Sequence, residues 1–317
     1  MHSVGEWWMW LGFIVFVLAM LAVDIFLLHG RNAHKVSLKE ALGWSVLWVA
    51  LALAFNALLW WYLDTEIGRE AANEKALEFL TGYLIEKSLS VDNIFVFIMI
   101  FSYFAVPAEY QRRVLLYGVL GAIAMRAVMI LAGAWLIAQF HWILHLFGAF
   151  LAITGIKMLI FAGQEPDLAK NPVLRWLRNH LRITDNYHDE KFFVSHNGVL
   201  FATPLFLVLA LIETTDLVFA VDSIPAIFAI TEDPFIVFTS NLFAIMGLRA
   251  LYFLLADIAD RFHLLKYGLA IVLIFVGIKM LIVQWYKVPI LAALGLVAII
   301  LTSSIVLSLV ISSRRKS

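Results

Sequence analysis

The chain has 317 residues, of which 63% are hydrophobic and 15% charged, with a mean hydropathy of +0.92 and a formal net charge of zero. This composition excludes a soluble globular domain, because no soluble core needs so much apolar surface, and zero net charge gives no sign of nucleic-acid binding. The absence of cysteine excludes disulfides, thiol redox chemistry and thiolate metal sites. We therefore expect an all-α polytopic membrane protein.

The hydropathy pattern predicts about nine transmembrane helices in one transmembrane domain, 1–317. Most spans have 20 to 26 residues, which is enough for a hydrocarbon core of about 30 Å. The sixth is too long for one straight crossing and contains Pro204 and Pro225, so we expect it to be broken or kinked. In chain order, the predicted spans are 7–28, 41–63, 79–104, 113–138, 141–162, 198–230, 235–256, 263–284 and 289–311.

Loop charge predicts the orientation. Alternate loops collect fifteen basic residues on one side, against three on the other. This bias places the N-terminus outside and the C-terminus in the cytoplasm. The hydrophilic stretch 163–197 is then a cytoplasmic loop, and its segment PVLRWLRNHLRI reads as a basic amphipathic helix. We expect that helix to lie on anionic lipid headgroups, with a regulatory partner site as the alternative.

An internal repeat covers six of the spans. Repeat A is 79–162 and repeat B is 198–284, and the helices 7–28, 41–63 and 289–311 flank them. Each unit holds three spans, an odd number, so the two copies should enter the membrane from opposite sides, a plan used by transporters. The alternative is a duplication kept only for packing. The matching strings are GIKMLI at 155–160 and 277–282, MRA at 125–127 and LRA at 248–250, and VDNI at 91–94 and VDSI at 221–224.

Carboxylates occur within the apolar sequence of both copies, in EKSLSVDNIF at 86–95 and ETTDLVFAVDSIP at 213–225. A charge at such a position costs about 3 kcal/mol on insertion scales, so intramembrane acids usually mark an ion or proton pathway. We take the oxygen-bearing side chains of these motifs as candidate metal ligands. They are Glu86, Asp92, Asn93, Glu213, Asp216, Asp222 and Ser223.

Helical geometry limits how these groups can meet. Glu86, Ser90 and Asn93 share one helix face, and Asp92 points about 120° away from them. In the second copy Asp216 and Ser223 share a face. One straight helix therefore cannot place all the carboxylates around one ion. Either the helices unwind near the motifs, or each helix contributes part of a site that the other repeat completes.

The candidate ligand atoms of these motifs are all oxygens. Carboxylate, amide and hydroxyl groups suit hard divalent ions such as Mg²⁺, Ca²⁺ and Mn²⁺. The same carboxylates could exchange a metal ion for protons. The alternative is structural ion pairing with the interior bases Arg126 and Arg249, most simply with Asp92 and Asp222 as partners.

The motifs EKSLSVDN, ETTDLVFAVDSIPA, SNLFAIMGLRALYFLL and KYGLAIVLIFVGIKMLI resemble those of the TerC family of integral membrane proteins, and the resemblance covers essentially the whole chain. It implies a bacterial inner (plasma) membrane protein of metal-ion homeostasis, most simply a Mn²⁺ exporter. It also implies kinship with exporters built from inverted three-helix repeats. The family's acidic positions fall on Glu86, Asp92, Glu213, Asp216 and Asp222.

The sequence is compatible with three functions. The first, which we expect, is a divalent-cation exporter for Mn²⁺ that exchanges the ion for protons, with no enzymatic activity and no permanently bound cofactor. Its partners are the lipid bilayer and the divalent cation, without nucleic acid. The second is a membrane-bound redox modulator, which would need a bound haem, flavin or quinone. The third is an intramembrane aspartyl hydrolase, whose Gly-x-Gly-Asp string does not occur in this sequence.

Overall fold

The computed structural model describes residues 3–28, 37–140, 142–161, 168, 171–196, 198–256 and 264–314. The described chain is mostly helical, which confirms the predicted helical membrane class, and it adds a short β-hairpin that was not predicted. The helices before the hairpin are α1 (Trp7–Leu28), α2 (Leu38–Glu66), α3 (Arg69–Tyr103), α4 (Ala108–Gln139), α5 (Ile143–Phe161) and α6 (Pro172–His180). The hairpin strands and later helices are β1 (Phe193–His196), β2 (Val199–Ala202), α7 (Pro204–Phe228), α8 (Pro234–Met246), α9 (Leu248–Leu255), α10 (Leu265–Leu281) and α11 (Ile290–Arg314).

Within the described residues, six segments are helical, long and apolar enough to cross a membrane. This number supports a polytopic membrane protein but does not reach the nine predicted spans. Helix α3 is not among the six because its apolar half contains three charged residues, Glu86, Lys87 and Asp92. Helix α10 is not among them because it has only 17 residues. The six segments are Leu38–Glu66, Ala108–Gln139, Ile143–Ile160, Pro204–Phe228, Pro234–Leu255 and Ile290–Ile311.

The predicted sixth span, 198–230, differs from the structure in two ways. Its first residues form strand β2, which pairs antiparallel with β1 next to Gly198, a residue with a φ of 77° that favours glycine. The rest is one continuous helix, α7, so the predicted break within it is wrong, whereas the alternative, a kink, stays a prediction. Pro204 lies in its first turn, where no amide donor is needed, and Pro225 lies in its last turn.

The acidic motifs also remain helical. Helix α3 runs unbroken through Glu86 and Asp92, and α7 through Asp216 and Asp222. The hydroxyls of Thr214 and Thr215, between Glu213 and Asp216, donate to the carbonyls of Ala210 and Leu211, at 2.7 Å each. Such bonds to the preceding turn are compatible with a regular helix. Unwinding is therefore excluded in this structure, and only a site shared between helices remains.

The predicted amphipathic helix of the 163–197 loop is confirmed as α6; residues 163–167, 169–170 and 197 of that loop lie outside the described residues. Asn171 caps it by accepting hydrogen bonds from the amides of Val173 and Leu174, at 2.9 and 3.2 Å. Leu174 and Leu177 are buried in the protein core, while Arg175 and Arg178 are exposed. The apolar side of α6 therefore packs on the protein itself. Lipid contact of its basic side stays a prediction.

Helices α5 and α10, which carry the two GIKMLI strings, pack closely through glycine. A Cβ atom on Gly277 would lie 2.6 Å from the Ala152 amide nitrogen and 2.6 Å from the Gly148 carbonyl oxygen. A Cβ atom on Gly155 would lie 2.7 Å from the Ala270 carbonyl oxygen. Small residues allow this close backbone approach, as in many membrane helix pairs. The helices run antiparallel, because later residues of α5 meet earlier residues of α10.

Candidate functional site: a buried arginine cluster beside an acidic cavity

Arg126 of α4 lies at the centre of the site and is 1% exposed. Its guanidinium donates two hydrogen bonds to Asp216 of α7, from Nε to Oδ2 at 3.2 Å and from Nη2 to Oδ1 at 3.1 Å. Its Nη1 donates to Glu86 of α3 and to the Ser223 hydroxyl, the latter at 3.1 Å. Arginine suits this position because its planar fork can serve two carboxylates at once.

Two amides complete the carboxylates' hydrogen bonding. Asn93 Nδ2 donates to Asp216 Oδ1 at 3.3 Å, and Asn241 Nδ2, from α8, donates to Glu86 Oε2 at 2.9 Å. Both asparagines are at most 1% exposed. Each carboxylate thus faces the arginine and one amide, which is the hydrogen bonding that buried charges require. We call these six residues the Arg126 cluster: Glu86, Asn93, Arg126, Asp216, Ser223 and Asn241.

The predicted helix faces explain how the cluster forms. Glu86, Ser90 and Asn93 are all buried, so the face that the spacing predicted is the inward face of α3. Asp216 and Ser223 both contact Arg126, which confirms their shared face. Asn241 was missed, although an asparagine within the apolar run of α8 was the available signal. The proposed pairing of Arg126 with Asp92 is wrong, because Glu86 and Asp216 occupy the guanidinium.

A cavity of about 470 Å³ adjoins the cluster, and we call it the acidic cavity. Asp92 and Asp222 line it, are only partly buried, and make no ion pair with Arg126. On the α5 side, Thr154 is a hydrogen-bond partner of Asp222, and Lys157 is the nearby base. Arg249, the proposed partner of Asp222, lines a different cavity with Trp48 and Arg112. The polar lining of the acidic cavity is Glu86, Asp92, Asn93, Arg126, Thr154, Lys157, Asp222 and Ser223.

Glu213 is the one candidate ligand that the structure leaves apart from this group. It does not line the acidic cavity. Its carboxylate lies against Gly121 of α4, where a Cβ atom would overlap it. One turn earlier on α4, a Cβ on Gly118 would lie 3.2 Å from Ile212, so these glycines provide close packing between α4 and α7.

The carboxylates do not form a ready-made metal shell. Among the residues that the structure describes, no three His, Asp or Glu side chains lie close enough together to hold a metal ion. A cation in the acidic cavity would therefore be held by Asp92 or Asp222 together with Asn93, Ser223 or water. Such mixed oxygen shells are usual for hard divalent ions.

Comparison with known proteins defines the class. The sequence profile described as "Integral membrane protein TerC family" matches residues 71–316, so the chain belongs to the TerC family. A relative from Salmonella typhi, named as a proposed membrane-bound redox modulator, Alx, is 58% identical over 99% of this chain and 98% of its own length. The Escherichia coli K12 protein of the same name is 58% identical over 97% of this chain and 96% of its own.

More distant relatives also align along most of their length. An uncharacterized membrane protein from Myxococcus xanthus is 51% identical over 97% of this chain and 94% of its own. One from Rickettsia bellii is 42% identical over 88% of this chain and 90% of its own. No solved structure matches the chain.

Proposed function

We propose that this protein transports a divalent metal cation and that the acidic cavity is the binding site. The observation that carries the proposal is that Asp92 of α3 and Asp222 of α7, the matching acids of the two repeat motifs, line one cavity and make no ion pair with Arg126. When both are ionised they carry two negative charges, which is the charge of one divalent cation. Two protons would neutralise the same charge, so the two carboxylates can exchange one cation for two protons.

The two parts of the site have different tasks. The carboxylates of the Arg126 cluster are already held by charge-assisted hydrogen bonds, so they fix α3, α4 and α7 relative to one another. Asp92 and Asp222 face open space and make no ion pair with Arg126, so they are the groups that bind and release the cation. Mn²⁺ export is the most specific form of the proposal and rests on the family resemblance, since oxygen ligands alone separate Mn²⁺ poorly from Mg²⁺ and Ca²⁺.

The packing of α5 against α10 supports an inverted repeat. In the repeat register of 122 residues, Gly155 corresponds to Gly277 and Gly148 to Ala270. When each residue of the contact between Gly277 and Gly148 is replaced by its counterpart in the other repeat, the result is the contact between Gly155 and Ala270, which the structure also contains. A two-fold axis crossing an antiparallel helix pair has this effect. The proposal accordingly includes nine spans in the inner membrane, an outside N-terminus, a cytoplasmic C-terminus, and alternation of the two repeats around the acidic cavity.

The test is Mn²⁺ flux in proteoliposomes with an imposed pH gradient. Asp92→Asn and Asp222→Asn should each lower flux about tenfold or more, because each loses a charged ligand worth at least 1.4 kcal/mol. Asp185→Asn, at an exposed loop position, is the matched control and should transport normally. Undiminished flux in the Asp92→Asn/Asp222→Asn double variant would reject the acidic cavity as the path.

The name of the Alx relatives favours a second candidate, a membrane-bound redox modulator. With no cysteine in the chain, that activity would need a bound redox cofactor. The visible absorption spectrum of protein purified from its native membrane separates the two. A haem or flavin band would favour the redox function, and a featureless spectrum together with Mn²⁺ flux would favour transport.

A further inference from the structure

Lys87 follows Glu86 in α3 and has an unusual position. Its Nζ donates to the Ala244 carbonyl oxygen of α8 at 3.3 Å. In the described part of the chain, no carboxylate oxygen lies within 4.0 Å of this ammonium group. A basic group inside a membrane protein normally pairs with an acid or reaches the interface. Lys87 instead relies on a backbone carbonyl.

That carbonyl lies where a membrane segment is interrupted. Pro234–Leu255 is one apolar segment, but its helix is divided at Gly247 into α8 and α9. The carbonyls at the C-terminal end of a helix carry partial negative charge, and in interrupted membrane helices they bind cations. A Cβ atom on Gly247 would lie 2.5 Å from Lys87 Nζ and 3.2 Å from Trp48 Cβ. The missing side chain therefore leaves the room that the ammonium group occupies.

From this geometry we infer that the interruption at Gly247 is a binding position for a small monovalent cation, and that the Lys87 ammonium group fills it from within the chain. Because the ammonium group is part of the chain, no free cation such as Na⁺ needs to bind at this position. The inference concerns how the fold is held together and does not depend on transport.

The position adjoins the Arg126 cluster. Asn241 and Ala244 are three residues apart on one face of α8. Asn241 holds Glu86, and Ala244 holds the neighbouring Lys87. Two adjacent residues of α3 thus form hydrogen bonds with adjacent turns of α8. Loss of the Lys87 ammonium group therefore loosens the segment that carries Asn241.

The test is chemical replacement of the lost ammonium group. Lys87→Ala protein is purified in detergent, and its unfolding temperature is measured in chloride salts of choline, sodium and ethylammonium at equal ionic strength. Wild-type protein should unfold at the same temperature in all three. The variant should unfold about 4 °C lower in choline and recover at least half of that loss in sodium or ethylammonium.

Lys279→Ala is the matched control. Lys279 Nζ also donates to a helix-end carbonyl, that of Ala229, at 3.1 Å, but it lines a cavity of about 550 Å³ together with the Glu78 carboxylate. Water can replace the ammonium group there, so we expect no cation-specific recovery. The inference is overturned if Lys87→Ala matches wild type in choline, if neither cation raises its unfolding temperature, or if Lys279→Ala recovers equally.

A second variant covers the case in which Lys87→Ala does not accumulate. Lys87→Met keeps the stem and fills the space with a methyl group. It should lose stability without recovering in sodium or ethylammonium, and a Lys87→Met protein as stable as wild type would overturn the inference. Since no measurement here uses metal flux, these outcomes are independent of the proposed function.

Discussion

The Arg126 cluster and the acidic cavity contain the same kinds of side chain in adjacent but different surroundings. In the cluster, Glu86 and Asp216 are fully buried and each accepts hydrogen bonds from Arg126 and an asparagine amide. In the cavity, Asp92 and Asp222 are partly exposed and make no ion pair with Arg126. The difference shows that carboxylates of one motif can have different roles, because a charge paired with arginine fixes structure whereas a carboxylate that faces a cavity without that ion pair is available to a ligand.

The largest loss of stability is expected on substitution of Arg126. Arg126→Met leaves two buried carboxylates without their cation, which should lower the free energy of unfolding by about 3–5 kcal/mol. Thermal unfolding of the purified protein measures this loss. Adding Glu86→Gln and Asp216→Asn to the same chain should restore much of the stability, since no buried charge then remains unpaired.

Arg69→Met is the control for that prediction. Arg69 pairs with Asp64 at 2.7 Å, but its side chain is 66% exposed. Its loss should change the unfolding temperature little, because water solvates both charges. Equal destabilisation by Arg69→Met and Arg126→Met would contradict the structural role assigned to the cluster.

An intermediate effect is expected at Asn241, which donates to Glu86 in the cluster. Asn241→Ala removes the amide donor from Glu86 Oε2 but leaves Arg126 in place. The free energy of unfolding should fall by about 1–3 kcal/mol, the cost of one unsatisfied buried acceptor. Chemical denaturation measures it, and the Glu86→Gln background should give a smaller loss. A loss that is the same in both backgrounds would show that the amide does not act through Glu86.

The smallest effect is expected at Glu213, which belongs to the same motif but lies outside both regions. Glu213→Gln keeps the shape of the side chain against Gly121. Flux of Mn²⁺ should stay within about twofold of wild type. A loss as large as that of Asp222→Asn would place Glu213 on the ion path and show that the acidic cavity is incomplete as described.

Several features of the fold followed from the sequence. Apolar runs of membrane-spanning length predicted the helical membrane class, and the 3.6-residue period placed Glu86 and Asn93 on one buried face. The sixth span was expected to be broken or kinked; a break within its helix is wrong, because Pro225 falls in the last turn of α7 and the threonine hydroxyls bond within the helix, and a kink stays a prediction. Hydropathy also gave no signal for the hairpin of β1 and β2, whose strands have four residues each.

What the sequence determined by itself is the membrane class, the repeated motifs and the set of oxygen-bearing side chains, because these depend on composition and on spacing along a helix. Only the tertiary structure decided which acid meets which base. Arg126 pairs with Glu86 and Asp216 and not with Asp92, because α3, α4 and α7 cross where those side chains converge. Asn241 of α8 contributes a further hydrogen bond to the cluster. Partners across helices are set by helix packing, and a linear pattern of residues does not contain that packing.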